Sequence, residues 1–216
     1  MNNDLNLNEF LQRVDKQILE TSDLQKKQFG VFFRLLVEWN SNVNLISRNE
    51  KNIVDRHFLN SACLAHFVKF GPEDKIIDIG SGGGFPAIIL KVLFPQSYFT
   101  LVDSVRKKTD FLRLVVKDLG LTKIDIINDR AEKISSVKEF HKSFDYVTAR
   151  AVSSLKDLVG LSKPFLKENG NMIFLKGRSY ADEITAATVD PRLLKIHKLC
   201  SIAENQDGVL LVISAH

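Results

Sequence analysis

Residues Ile76–Ile88 read I-I-D-I-G-S-G-G-G-F-P-A-I. An apolar run reaches Asp78, passes Gly80, Gly82, Gly83 and Gly84, and becomes the apolar-periodic segment Phe85–Phe94. This pattern predicts a strand, a glycine turn and a helix. Glycine has no Cβ and accepts left-handed backbone, so such a turn lets main chain approach a bound nucleotide closely. A second apolar strand, Tyr98–Val102, ends in Asp103. An acidic residue therefore stands about 20 residues past the turn, where folds of this kind hold a ribose.

The loop separates the cofactor classes that use this arrangement. The dinucleotide fingerprint G-x-G-x-x-G needs its third glycine for close helix–strand packing. Counted from Gly80 and Gly82, that place is held by Phe85. Asp78 at the strand tip repels a pyrophosphate and suits a cationic or amine-bearing ligand. S-adenosylmethionine carries an ammonium and a sulfonium and no phosphate, so these residues favour it over a nicotinamide dinucleotide. A glycine turn that binds nothing is the remaining reading.

Around this stretch the chain alternates. Strands are expected at Lys75–Ile79, Tyr98–Val102, Ile124–Asn128, Phe144–Thr148 and Asn171–Leu175. Helices are expected at Phe85–Leu93, Val105–Leu119 and Leu155–Phe165, with a short turn near Glu132. Regular alternation predicts an α/β fold with a mostly parallel, doubly wound sheet, the Rossmann-like architecture of class I methyltransferases. Leu193–Cys200 and Val209–Ile213, separated by the polar Ala203–Gly208, predict a closing antiparallel hairpin. Upstream, Leu5–Leu19, Leu24–Trp39 and Ile53–Phe67 read as helices, the second capped by Ser22 or Asp23 with Leu24, Val31, Phe32, Leu35, Leu36 and Trp39 as its apolar positions. Gly71-Pro72 breaks the chain before the first strand. Residues 1–70 are thus expected to form a helical extension packed on a cofactor-binding domain at 71–216.

A chain of 216 residues with 44% apolar content can bury a full core in one domain plus a modest extension. No apolar run approaches the roughly 20 residues that span a bilayer. The opening Met1–Leu5 lacks the regions of a secretory leader. Cys63 and Cys200 lie far apart, without metal or redox spacing. The expectation is a cytoplasmic, metal-free monomer with no membrane contact. Net charge is +4 and the pI about 9.0. Arg106, Lys107, Lys108, Arg113 and Lys117 follow Asp103 directly, and a cationic rim there would recruit a polyanion; a solvated surface explains the same charges.

Several segments together resemble one family. They are Val37–Leu45 (V-E-W-N-S-N-V-N-L), Arg56-His57, Asp78–Pro86, Leu101–Ser104, Arg130–Glu132, Thr148–Ala151 and Leu175–Gly177. The chain resembles, over nearly its whole length, the RsmG/GidB-type methyltransferases, which modify N7 of one guanosine in the decoding-region loop of 16S ribosomal RNA. That resemblance implies S-adenosylmethionine as cofactor and 16S ribosomal RNA or the small subunit as partner. Gly80 and Phe85 would line the methionine side, Asp103 the ribose, and Ala131 and Glu132 the adenine end. Arg150 would lie where cofactor and target base meet. Three positions depart from the family pattern: Asn60 where aspartate is usual, Gly83 where proline is common, and Ala87 where glycine is common.

Guanine N7 carries an in-plane lone pair and no proton, so its methylation needs positioning rather than a general base. No catalytic side chain is therefore demanded, and Arg150 is the candidate for positioning; a salt bridge to Asp145 or Asp157 is its alternative. Arg56, His57, Arg106, Lys107, Lys108, Lys176 and Arg178 are the candidate RNA contacts. For His57 a half-buried, hydrogen-bonded histidine is the competing reading, and for Lys176 and Arg178 it is solvation. The aromatic residues from Phe29 to Trp39 read as core rather than as a platform for bases. A methyltransferase of the same fold acting on another RNA, a protein or a small molecule is the rival function, because fold does not decide substrate.

Overall fold

The structure, a computed structural model, is described for residues 2–48, 50, 52–199 and 208–215. It opens with α1 (Asn2–Gln17) and α2 (Asp23–Asn40). Ser22 caps α2: its side chain accepts from the Gln25 amide while the Gln25 side chain accepts from the Ser22 amide, a reciprocal capping box. Phe29, Phe32, Phe33, Leu35 and Leu36 are buried along α2, which settles the aromatic residues as core. Leu24, expected on that apolar face, is instead 64% exposed, in the first turn of the helix ahead of its buried positions.

The segment expected as one helix at Ile53–Phe67 is broken into a π-helix (Val54–Leu59), α3 (Asn60–Ala62) and α4 (Leu64–Phe67). Strands and helices then alternate. They are β1 (Lys75–Ile79), α5 (Ala87–Leu93), β2 (Tyr98–Val102), α6 (Arg106–Asp118), β3 (Ile124–Ile127), α7 (Ala131–Ile134), β4 (Phe144–Arg150), α8 (Leu155–Ser162) and β5 (Leu166–Lys176). After β5 comes α9 (Tyr180–Ala187), which the sequence reading did not anticipate. Its apolar residues Tyr180, Ile184 and Ala187 pack half-buried against the second core layer, but the helix has only eight residues, and a stripe that short is a weak signal in sequence. A 3-10 turn (Pro191–Leu193) leads to β6 (Leu194–Lys198) and β7 (Val209–Ser214). Most of the expected polar connection Ala203–Gly208 lies outside the described residues.

The sheet runs β3-β2-β1-β4-β5-β7-β6. β1 to β5 are mutually parallel, and β7 enters antiparallel between β5 and β6. This is the expected doubly wound sheet with an antiparallel ending. The strand order reverses between β1 and β4, and the crevice outside the carboxyl ends at such a switch point is where open α/β sheets bind ligands.

Strand alternation sorts side chains onto two faces. Ile76, Ile173, Leu175 and Leu210 join one apolar layer with Phe10, Phe29, Phe32, Phe58 and Phe111. Ile77, Ile79, Phe174 and Leu211 join the other with Leu158 and Phe165. The N-terminal helices and the first face of the sheet thus share one continuous core. Buried Lys91 donates to the carbonyls of Pro95 (2.9 Å) and Ser97 (2.6 Å), tying the exit of α5 to the start of β2. No helix among the described residues is long and apolar enough to cross a membrane.

Candidate active site

The turn after β1 is built from its own backbone. Gly80 and Ser81 donate to the Val102 carbonyl at 2.8 and 3.1 Å, and Gly84 donates to Ser81 at 2.7 Å. Gly80, Gly82 and Gly84 have φ of +68°, +53° and +91°, which L side chains rarely adopt. Asp103 holds the turn from β2: Oδ2 accepts from the Gly82 amide (2.8 Å) and Oδ1 from the Val105 amide (2.8 Å). Each oxygen keeps a second lone pair, and Asn128 fixes the Asp103 carbonyl from the end of β3 at 3.0 Å.

A cavity of about 210 Å³ opens beside this turn, lined by Gly80, Asp103, Ser104, Ala131, Glu132 and Val152 among others. Three strand ends therefore bring the expected ribose and adenine residues to one place. Asp78 lies beneath, fully buried on the face of Ile76; Oδ1 accepts from Thr148 Oγ1 at 2.6 Å and Oδ2 has no partner. Burial pushes its carboxyl up to about 7, against the hydrogen bond from Thr148; the Ser81 hydroxyl donates instead to the Asp78 main-chain carbonyl at 3.0 Å. An unpartnered buried carboxylate oxygen under a glycine turn fits a cationic ligand group.

Phe85 is placed differently from its expected role. Its ring does not line the cavity but points to the N-terminal helices, with centroids 5.3 Å from Phe32, 5.4 Å from Phe58 and 5.2 Å from His57. The turn needs an anchor in the core on that side, and the aromatic residue supplies it. Gly83 faces the same way: a Cβ there would lie 3.2 Å from the Leu45 carbonyl.

On the other side of the β4 terminus lies a broader cleft of about 1420 Å³. Glu9, Arg13 and Gln17 of α1, the π-helix residues Arg56 and His57, and Arg150, Lys176 and Arg178 all line it. Cavity and cleft meet across a strap, Ala151–Ser154. Val152 faces the cavity while Arg150, Ala151 and Ser153 face the cleft.

Arg150 joins this strap to the helical wall. Its guanidinium carbon lies 5.3 Å from the Phe85 ring centroid. One nitrogen donates to the Arg56 carbonyl at 3.1 Å and another bonds His57 Nδ1. A π-turn leaves carbonyls available for such partners, and π-bulges are frequent at functional sites. Asp145 is taken by Lys167 at 2.7 Å and Asp157 by the Ser154 hydroxyl at 2.7 Å, so neither pairs with Arg150. Burial lowers Arg150 to about 10, which leaves it charged at neutral pH.

Burial, with Arg150 and Arg56 adding to it, pulls His57 down to about 3, so the ring is neutral. Its Nδ1 accepts from Arg150, which places the proton on Nε2, 3.8 Å from Glu50 Oε2. His57 thus holds Arg150 through Nδ1 alone, because Nε2 is too far from Glu50 to hydrogen-bond and has no partner among the described residues. Arg56 pairs with Glu50 at 3.1 Å and keeps 66% of its side chain exposed.

Lys176, expected to touch RNA, has its ammonium committed within the fold: it donates to Glu183 Oε2 at 2.6 Å and to the Ser153 carbonyl at 2.9 Å, with 7% of the side chain exposed. Arg178 is exposed on the same rim. Arg106 and Lys107 are exposed at the start of α6, just past Asp103, and Lys108 is half-buried. Glu50, Val152 and Glu183 were not singled out from sequence. No motif links them to the turn, and only the fold brings them to it.

A family model for rRNA small subunit methyltransferase G, GidB, matches residues 25–207. The chain is 40% identical over 181 residues to the ribosomal RNA small subunit methyltransferase G of Streptococcus gordonii, covering 83% of this chain and 76% of that one. With the protein of the same name from Oceanobacillus iheyensis it shares 35% identity over 212 residues, 95% of this chain and 89% of the relative. Among solved structures, a SAM-dependent methyltransferase from Aquifex aeolicus superposes with a TM-score of 0.54 at 10% identity, over 76% of this chain and 94% of that one, a likeness of fold. With seven strands in this order, a glycine turn facing Asp103, and identity of this extent along most of its length, the chain belongs to the rRNA small subunit methyltransferase G family.

Proposed function

We propose that this protein transfers a methyl group from S-adenosylmethionine to N7 of one guanosine in the decoding-region loop of 16S ribosomal RNA. Family membership supports the reaction class. The observation that carries it to this chain is the meeting, across one strap, of a cavity beside the glycine turn and Asp103 with a cation-bearing cleft. On this reading residues 71–216 hold the cofactor and residues 1–70 form the helical wall of the RNA cleft.

The cofactor, when bound, supplies an electrophilic methyl group on a sulfonium. The chain's own residues do the rest. Asp103 offers acceptor lone pairs to ribose hydroxyls, and Ala131 and Glu132 border the adenine end. The open oxygen of Asp78 suits the ammonium end, and Gly80 and Gly82 let main chain come close. Guanine N7 needs no deprotonation, so the task is alignment and exclusion of water; such positioning is worth several kcal/mol. Arg150 stands at the boundary of cavity and cleft, where its charge and planar fork suit a guanine edge or a phosphate. Arg56, Arg178, Arg106 and Lys107 would attract the phosphate backbone, with His57 acting through Arg150.

The test is methyl transfer from labelled S-adenosylmethionine to small ribosomal subunits and to their protein-free RNA, followed by cleavage selective for N7-methylguanosine. Label at one guanosine is expected, with Arg150→Ala slowing it at least about tenfold while cofactor binding persists. Cofactor binding without label in either substrate would discard this target and favour a protein, a small molecule or another RNA as acceptor.

A further inference from the structure

We infer that Glu183, on α9, is a positioning residue for methyl transfer: together with Lys176 it fixes the strap Ala151–Ser154 that divides the cofactor cavity from the RNA cleft. The inference rests on the methyltransferase reading and adds to it a residue and an element outside the cofactor-binding motifs.

Among the described residues, the strap is the segment that faces both spaces at once. Ala151 has φ of +54°, a left-handed conformation that a residue with a Cβ adopts only when its surroundings impose it. Val152 sits directly over the glycine turn: a Cβ on Gly80 would lie 2.6 Å from Val152 Cγ2. Any drift of the strap therefore changes the shape of the cavity and the placement of Arg150 together.

Glu183 holds the strap at two points. Its Oε2 accepts from the Leu155 amide at 3.0 Å and from Lys176 Nζ at 2.6 Å. Lys176 in turn donates to the Ser153 carbonyl at 2.9 Å. Ser179 Oγ steadies the other oxygen, Oε1, at 3.4 Å. The Ser153 carbonyl within the strap and the Leu155 amide at its exit are thus tied to one ion pair, whose lysine is buried and whose glutamate is half-buried. The pair spans β5 and α9, so it carries the strap on regular elements rather than on another loop. Glu183 complements the cap of α8, where the Ser154 hydroxyl accepts from the Asp157 amide at 3.2 Å, but the Lys176 bond to the Ser153 carbonyl serves no helix amide and acts on the strap itself.

The experiment uses the full-length protein and the variants Glu183→Ala, Glu183→Gln, Lys176→Met and the double variant Lys176→Met/Glu183→Gln. Four quantities are read: single-turnover methyl transfer to small ribosomal subunits, affinity for their RNA, affinity for S-adenosylmethionine, and hydrogen exchange of the strap amides with and without that cofactor. Glu183→Ala should slow transfer roughly tenfold or more, because small misplacements near reacting groups are costly in rate. RNA affinity should stay within about twofold, since Glu183 attracts no phosphate. Exchange at the strap and at Leu155 should accelerate, and cofactor should restore less of the protection than in the unmodified protein. Glu183→Gln keeps an acceptor for the Leu155 amide and should recover part of the rate. The double variant should be no slower than Lys176→Met, because both changes disable one device. Where Glu183→Ala does not fold, Glu183→Gln and Lys176→Met carry the same comparison.

A lowered melting temperature with transfer within about twofold of the unmodified protein would overturn the inference and leave the pair purely structural. Unchanged strap exchange in all variants would overturn it independently of any acceptor. If the unmodified protein binds S-adenosylmethionine yet labels no small subunit, the proposed target fails, while the exchange and cofactor-affinity readings still decide the role of Glu183.

Discussion

The glycine turn Gly80–Gly84 and the strap Ala151–Ser154 follow adjacent parallel strands, and both contain left-handed backbone, yet they achieve it by opposite means. The turn uses glycines at each left-handed position and closes most of its hydrogen bonds within a few residues or onto the next strand. The strap places an alanine at φ +54° and depends on side chains from elsewhere. Arg150 reaches Arg56 and His57, 94 and 93 residues away; Glu183 reaches Leu155 across 28. A turn made of glycine carries its conformation with it. A strap made of ordinary residues has its conformation imposed, and so it can respond to what lies on either side.

The sharpest break in that comparison is the anchor both segments share. Phe85→Ala removes the ring on which Phe32, Phe58, His57 and Arg150 converge. Urea unfolding should show a loss of about 3–5 kcal/mol; a loss below about 1 kcal/mol would mean that the ring is not the common anchor.

Asp78→Asn should act in the opposite direction. The folded pKa of Asp78, about 7, lies above the ordinary aspartate value of 3.8, chiefly through burial. Its favourable contribution is therefore complete below pH 3.8 and is lost as pH rises through about 7. At pH 8 the Asn variant should gain up to about 4 kcal/mol and bind S-adenosylmethionine more weakly. Melting curves from pH 5 to 9 beside cofactor titrations test this. A variant no more stable at pH 8 than at pH 5, relative to the parent, would show that Asp78 does not ionise at a cost.

Within the turn itself, Gly84→Ala meets Ile88 Cγ1 at 2.7 Å and Leu112 Cδ2 at 3.2 Å, at φ +91°. It should cost about 1–3 kcal/mol. Gly82→Ala, whose nearest neighbour is a carbonyl at 3.7 Å, should cost only the backbone strain, about 1 kcal/mol. Equal losses at the two positions in thermal melts would contradict the crowding read at Gly84.

The smallest change in stability should come from Ala151→Gly. Relief of left-handed strain and the greater freedom of the unfolded chain offset one another to within about 0.5 kcal/mol. Hydrogen exchange of the strap should nevertheless accelerate, because the imposed conformation becomes one choice among several. Unaltered exchange would place control of the strap wholly in its side-chain tethers.

Much of the fold was legible because its signals are local. Five parallel strands and the antiparallel ending stand where apolar runs and turn residues put them, and Ser22 caps α2 through the spacing to Gln25. Asp103 faces the turn as the spacing of the two strands implied. Three expectations met a different outcome for reasons no local pattern carries. Phe85 turned to the core because α2 and the π-helix supply aromatic neighbours there. Lys176 was drawn inward by Glu183, and α9, which brings Glu183, is too short and too shallowly buried to be marked by period alone. Leu24 was left in water because it stands in the first turn of α2, ahead of the buried positions that begin at Phe29.

The amino-acid sequence by itself determined the alternating elements, the glycine turn with its two carboxylates, and the family. These follow from backbone sterics and from side-chain period, which act over a few residues. Only the tertiary structure decided which side of the turn each ring and ammonium would face, and that the strap would be tethered from both the helical wall and α9. Those choices depend on which charges are buried beside which partners, and burial is a property of the packed chain as a whole.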